Sequence, residues 1–160
     1  MCLITAGAVS AGCATNEPTE PCDDRPVVPG GSAELGLGFE FTPVADQEQV
    51  ELQLGTQGLW MFIVNARAYD MELGTGEGVE IDAVDASGTV ISLEAACRTR
   101  EFDDQGNGTL QLSSAFLLPL LPDATPTLDG STITIRLEIR DTKGRRATDE
   151  RTIVAKLPNR

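Results

Sequence analysis

The chain has 160 residues, with 25 acids against 12 bases and no histidine, for a formal net charge of −13. That length suits one domain with a real core. Such acidity argues against a nucleic-acid partner, because phosphate binding needs a basic face. The lack of histidine removes Ser-His-Asp and Cys-His catalysis and histidine-ligated zinc. The excess charge is confined to one half: residues 1–85 hold 15 acids and 2 bases, whereas residues 86–160 hold 10 of each. Such asymmetry marks either an acidic interaction face or a solvated surface that discourages association.

Residues 1–12 are uncharged and rich in small side chains, and the run is too short to span a bilayer. It leads into Ser10-Ala11-Gly12-Cys13. This resembles the lipobox of bacterial lipoproteins, in which the cysteine is lipidated and becomes the new N-terminus. Ser10 stands where that family has Leu, and no Lys or Arg precedes the run as a signal's charged region would; an upstream start would supply one. The resemblance implies a truncated signal at 1–12, lipidation at Cys13 and a lipid anchor in the bacterial cell envelope, at the outer membrane or facing the periplasm. Ala14 in place of Asp favours the outer membrane, again by resemblance. The alternative is that residues 1–13 are a plain buried strand or a disordered end.

Residues 13–34 follow as a tether. Residues 14–34 hold four prolines, two glycines and five acids, a composition that cannot build a core. Of the four cysteines, Cys2 would leave with the signal and Cys13 would carry lipid. Cys22 and Cys97 then form a single pair, which in an oxidising compartment is expected to be a disulfide. It would close a loop of about 75 residues and contribute about 4 kcal/mol at most. In a cytosolic protein the same two residues would be free thiols.

The folded domain is expected over 35–160. From Leu35 the apolar period is two: Leu35, Leu37, Phe39 and Phe41, then Val50, Leu52 and Leu54, and most regularly Ile133, Ile135, Leu137 and Ile139. Each reads as a strand with one wet face. The run from Leu59 to Val64 is continuously apolar, as in a central strand covered on both faces. Further strands are expected near 79–85, 89–97, 109–118 and 150–157. Turns are expected at Gly55–Gly58, 74–76, 87–88, 104–108, 129–130 and 143–144. Prolines 119, 122 and 126 make 119–126 a crossing loop. No stretch carries a helical stripe.

The fold class is therefore all-β, an antiparallel β-sandwich of about 7–9 strands. Residues 133–145, ending in Asp141-Thr142-Lys143-Gly144, run into 148–154. They resemble the last hairpin of bacterial immunoglobulin-like and cadherin-like domains. The resemblance implies an immunoglobulin-like sandwich, with Trp60 as its core tryptophan, and bears on fold rather than function. The chain as a whole resembles bacterial surface lipoproteins that carry one such domain. This implies a binding or structural module acting by protein–protein interaction at the envelope, not an enzyme.

Calcium is the one cofactor the residues suggest. Asp103, Gln105 and Asn107 fit the opening of an EF-hand loop, but Ser114 stands at the twelfth position and no helices flank it. A polar hairpin turn is the alternative. A second acidic stretch holds Asp70, Glu72, Glu77, Glu80, Asp82 and Asp85 without a base. Alternation puts Glu80 and Asp82 on one face, and the alternative there is a solvated edge. The second function class is accordingly a calcium-dependent or carbohydrate-binding module, with a glycan as partner. The third is a hydrolase using the Glu101 and Asp104 carboxylates across a cleft.

Overall fold

The computed structural model describes residues 28–72, 77–93 and 97–158. Among these the chain is all-β, in two sheets. The first contains β1 (Val28–Pro29), β4 (Gln49–Glu51), β7 (Glu77–Asp85), β8 (Arg98–Arg100), β12 (Thr132–Arg140) and β13 (Arg145–Lys156). Its order is β1-β13-β12-β7-β8, with β4 also on β13. The second contains β2 (Ser32–Leu37), β3 (Thr42–Pro43), β5 (Gln53–Leu54), β6 (Trp60–Tyr69), β9 (Phe102–Gly106), β10 (Thr109–Leu112) and β11 (Phe116–Pro119). Its order is β3-β2-β6-β10-β9, with β5 and β11 also on β6.

One core holds both sheets. The period-two pattern of β12 sends Ile133, Ile135, Leu137 and Ile139 inward, each at most 2% exposed, and leaves Arg136, Glu138 and Arg140 on the outer face. From the second sheet, Trp60, Phe62, Val64, Ala66 and Ala68 of β6 enter the same cluster. Trp60 is thus a core residue, and β6 is the central strand that its apolar run predicts. It pairs with β2, β5, β10 and β11, and every residue from Phe62 to Ala66 is buried.

Several elements differ from the sequence expectation. Residues 28–34 are not all tether: β1 and the start of β2 lie within them. Phe39 and Phe41 leave the alternating strand, because Gly38, at φ 89°, turns the chain after Leu37. Residues 50–54 divide between sheets: β4 runs parallel to β13, Leu52 is buried between the two short strands, and β5 runs antiparallel to β6. The sheets are therefore mixed rather than purely antiparallel, since β1 and β4 both pair with β13 in parallel. In place of a strand at 89–97, the described residues 89–93 make only the bridges Val84–Val90 and Ser92–Leu120. The strand expected at 109–118 is interrupted: Gln111 faces Arg67 and Phe116 faces Val64, so residues between them bulge out of register. The crossing loop contains a 3₁₀ turn at Pro122–Thr127, and the last strand starts at Arg145 rather than near 150.

The molecule has two poles. At one lie the β12–β13 hairpin turn, β1 and the end of β6. At the other lie the turn after β7, the 3₁₀ segment and the start of β12. The nine residues of β12 separate them by about 26 Å, eight steps at ~3.3 Å each.

Candidate functional site

The hairpin pole is tied by a buried carboxylate. Asp141 is 1% exposed because the turn Asp141–Gly144 folds back over it. Its Oδ1 accepts the N–H groups of Lys143 (3.0 Å) and Arg145 (2.9 Å), and its Oδ2 accepts the Glu72 N–H (3.1 Å) and the Arg145 Nε–H (2.7 Å). Burial pushes the carboxyl pKa up, but the N–H groups of Glu72 and Arg145 and the Arg145 guanidinium outweigh it and hold the pKa below the usual range. Arg145 also donates to the Asp70 carbonyl at 2.9 Å. Every lone pair is engaged within the fold, so Asp141 is a structural knot and has no capacity left for a ligand. The Asp-x-x-Gly spacing was visible in the sequence, but not that its Asp gathers Glu72 from another element.

The sequence-predicted sites fall on the two edges of this frame. Asp103 and Gln105 lie on β9, an edge strand, and Asn107 lies in the turn to β10. Gly106, Asn107 and Gly108 all have positive φ (84°, 54° and 73°), the left-handed conformations a tight hairpin demands. Asp104 accepts the Gly106 N–H at 2.7 Å, and the Gln105 amide donates to the Asp103 carbonyl. The segment folds as a bulged hairpin. Glu101 and Asp104 are both exposed. Among the described residues, no three Asp, Glu or Cys side chains gather as a metal site would need. Cys97, just before β8, is half-buried and is not a free thiol. Cys13 and Cys22 lie outside the described residues, as do the signal and the expected turn at 74–76.

The acidic stretch is not a bare edge, because β7 lies between β12 and β8. Asp82 faces Arg136 across the strand pair, and the two are joined bidentately at 2.7 and 2.6 Å. Glu72 pairs with Lys143, and Glu138 with both Arg140 and Arg146. Glu80 and Asp82 do share a face, as alternation predicts. With Arg136, Glu138, Arg146 and Glu150 they line a shallow concavity of about 620 Å³ on the outer face of the first sheet. Its two arginines are both matched by acids of the same face, Arg136 by Asp82 and Arg146 by Glu138, while Glu80 and Glu150 add further negative charge. Each exposed pair contributes at most about 1 kcal/mol.

On the second sheet the Tyr69 hydroxyl donates to the Glu34 carboxylate. Burial and that carboxylate both raise the Tyr69 pKa above its usual value, against a smaller opposing effect of Arg67. Tyr69 is the only tyrosine, so an alkaline titration followed by phenolate absorbance reads it alone. Its midpoint is expected above the ordinary value of about 10, and Glu34→Gln should bring it back down. An unchanged midpoint in that variant would refute the assignment.

A groove of about 710 Å³ opens at the other pole, within the size range of ligand sites. Its apolar lining comes from Val90, Ile91, Leu121, Ala124, Leu128 and Ile133, and Asp85 and Asp123 stand among its polar lining. Three elements meet there because backbone bonds tie them together. The Ile91 N–H donates to the Ala83 carbonyl at 2.8 Å, and the Leu121 N–H donates to the Ile91 carbonyl at 2.7 Å. The segment after β7 thus stitches the first sheet to the chain leaving β11. Asp85 organises its own turn: its Oδ1 accepts the Ser87 N–H and hydroxyl and the Thr89 N–H, at 2.8, 2.6 and 3.0 Å. The Ser87 hydroxyl and the Thr89 N–H lead in lowering its pKa, so Asp85 is charged at neutral pH. Sequence reading missed this site, since nothing local marks 85–91 and 121–133 as neighbours. No family model matches the chain, and no curated protein or solved structure matches it either.

Proposed function

We propose that the chain is a membrane-tethered, extracytoplasmic binding module on an immunoglobulin-like β-sandwich, acting by protein–protein contact at the bacterial cell envelope. The strand order supports the fold part of this reading. The order β2-β6-β10-β9 corresponds to A-B-E-D of an immunoglobulin-like domain, and β1-β13-β12-β7-β8 corresponds to A′-G-F-C-C′. Neither β6 nor β12 carries a cysteine, so the inter-sheet disulfide of antibody domains has no counterpart here.

The observation that carries the functional part is polarity. The described chain begins at Val28, whose N–H donates to the Gly144 carbonyl at the hairpin pole, whereas the apolar groove opens at the opposite pole. A lipid on Cys13, followed by the Pro- and acid-rich spacer, would hold the domain by the hairpin pole and present the groove away from the membrane. A Cys22–Cys97 disulfide would fasten the spacer to β8. Binding rather than catalysis suits a groove floored by aliphatic side chains.

The test is metabolic labelling with a palmitate analogue in a bacterial host that processes lipoproteins, using the chain behind the export signal of a known lipoprotein. Wild type should label and Cys13→Ala should not. Equal labelling of the two would sink the tether.

A further inference from the structure

The groove's charge identifies its occupant. Between Arg67 and Arg98, and again between Arg100 and Arg136, the sequence has no Lys or Arg. These two base-free stretches supply nearly the whole groove: residues 85–91 from the first, and Leu121 to Ile133 from the second. Among the described residues, Lys156 ends β13 at this same pole, where the Ala155 N–H donates to the Ser131 carbonyl, but it is not among the residues that line the groove. The groove therefore has carboxylates at Asp85 and Asp123, an aliphatic floor and no cation of its own. Asp85 is held by three donors that all meet its Oδ1, so its charge is set in place before anything binds. Val90 and Leu93 are 38% and 42% exposed, which extends the apolar surface out of the groove.

We infer that this groove binds a short segment of a partner protein in which aliphatic residues alternate with Lys or Arg. The aliphatic side chains cover the floor formed by Val90, Leu121, Ala124 and Leu128, while the basic groups meet Asp85 and Asp123. An acidic segment would meet Asp85 and Asp123 with like charge, and a purely apolar one would desolvate them with no counter-charge in the groove lining, which is what rejects both. The contrast with the outer face of the first sheet is chemical: that concavity is lined mostly by charged side chains and holds two arginines paired with its own acids, whereas this groove has an aliphatic floor and no base in its lining. The inference rests on the proposed binding role and is independent of the lipid anchor.

The experiment uses the full chain carrying Cys13→Ala, which holds no acyl group whether or not the anchor is real. Synthetic peptides of alternating Leu and Lys, Leu and Glu, and Ser and Lys are titrated at physiological salt, with backbone amide shifts as the readout. The Leu/Lys peptide should shift residues 85–91 and 121–133 saturably, and should bind at least about tenfold tighter than the other two. Asp123 is exposed, so Asp123→Asn and Asp123→Lys should fold normally and weaken that binding progressively. Three results would overturn the inference: equal binding by the Leu/Glu or Ser/Lys peptide, shifts spread over the wider acidic surface, or no binding. Concentration-dependent self-association abolished by Val90→Glu would assign the groove to a second copy of the chain and equally overturn the basic occupant. Each of these outcomes leaves the palmitate result untouched, so the groove and the tether fail separately.

Discussion

Replacing Asp141 with alanine should lower the free energy of unfolding by about 3–5 kcal/mol, the range for removing one partner of a buried ion pair. The side chain is 1% exposed and accepts two N–H groups on each oxygen. Its loss strands those donors and leaves Arg145 without its counter-charge. Asp141→Asn should destabilise in the same direction but less. It keeps the shape and one acceptor, and sets its own N–H₂ against either the Lys143 and Arg145 amides or the Glu72 amide and the Arg145 Nε–H. The measurement is urea unfolding, read as a shift in midpoint at constant slope.

The pH dependence has a definite sign. The folded-state pKa of Asp141 lies below its unfolded value of about 3.9. Its contribution is therefore complete above that unfolded value and is lost as pH falls through the folded one. Wild type and Asp141→Asn should accordingly differ most at neutral pH and converge in acid. A constant gap across that range would show that the charge is not what stabilises the turn.

Phe62→Ala should cost about 3–5 kcal/mol, the usual range for truncating a buried aromatic residue. Phe62 is 1% exposed and lies opposite Leu118 in the β6–β11 register. β6 anchors β2, β5, β10 and β11, so neighbours on both sides must collapse together to fill the cavity, and collapse of that kind is resisted in a close-packed interior. Leu117, one residue from Leu118, is 49% exposed, and Leu117→Ala should change stability by no more than about 0.5 kcal/mol. Thermal or urea unfolding separates the two, and similar losses would mean that the faces of β11 are misassigned.

Much of the strand content was legible because alternation is local. Ile133 to Ile139 declare a two-sided strand without reference to anything else in the chain, and Leu59 to Val64 declare a covered one. The misreadings have a common cause. Phe39 and Phe41 continue the alternation, but Gly38 breaks the strand. Residues 50–54 also keep a perfect alternation, although the two halves pair with different sheets, because a period of two is blind to the identity of the partner. The acidic stretch 70–85 looked unpartnered for the same reason: Arg136 and Lys143 lie more than fifty residues away along the chain.

From its residues alone this chain reads as histidine-free, acidic and all-β, with a covered strand at Leu59 to Val64 and a two-sided one at Ile133 to Ile139. Those properties follow from composition and from side-chain period, which need only neighbouring residues. Tertiary structure alone decided the rest. It sent β1 and β4 parallel along β13, closed Asp141 into a knot with Glu72, and brought two base-free segments together at the pole opposite Val28. Each of these depends on strand pairing between distant segments, and the free energy of such pairing lies in cross-strand contacts and shared burial rather than in any one stretch of chain.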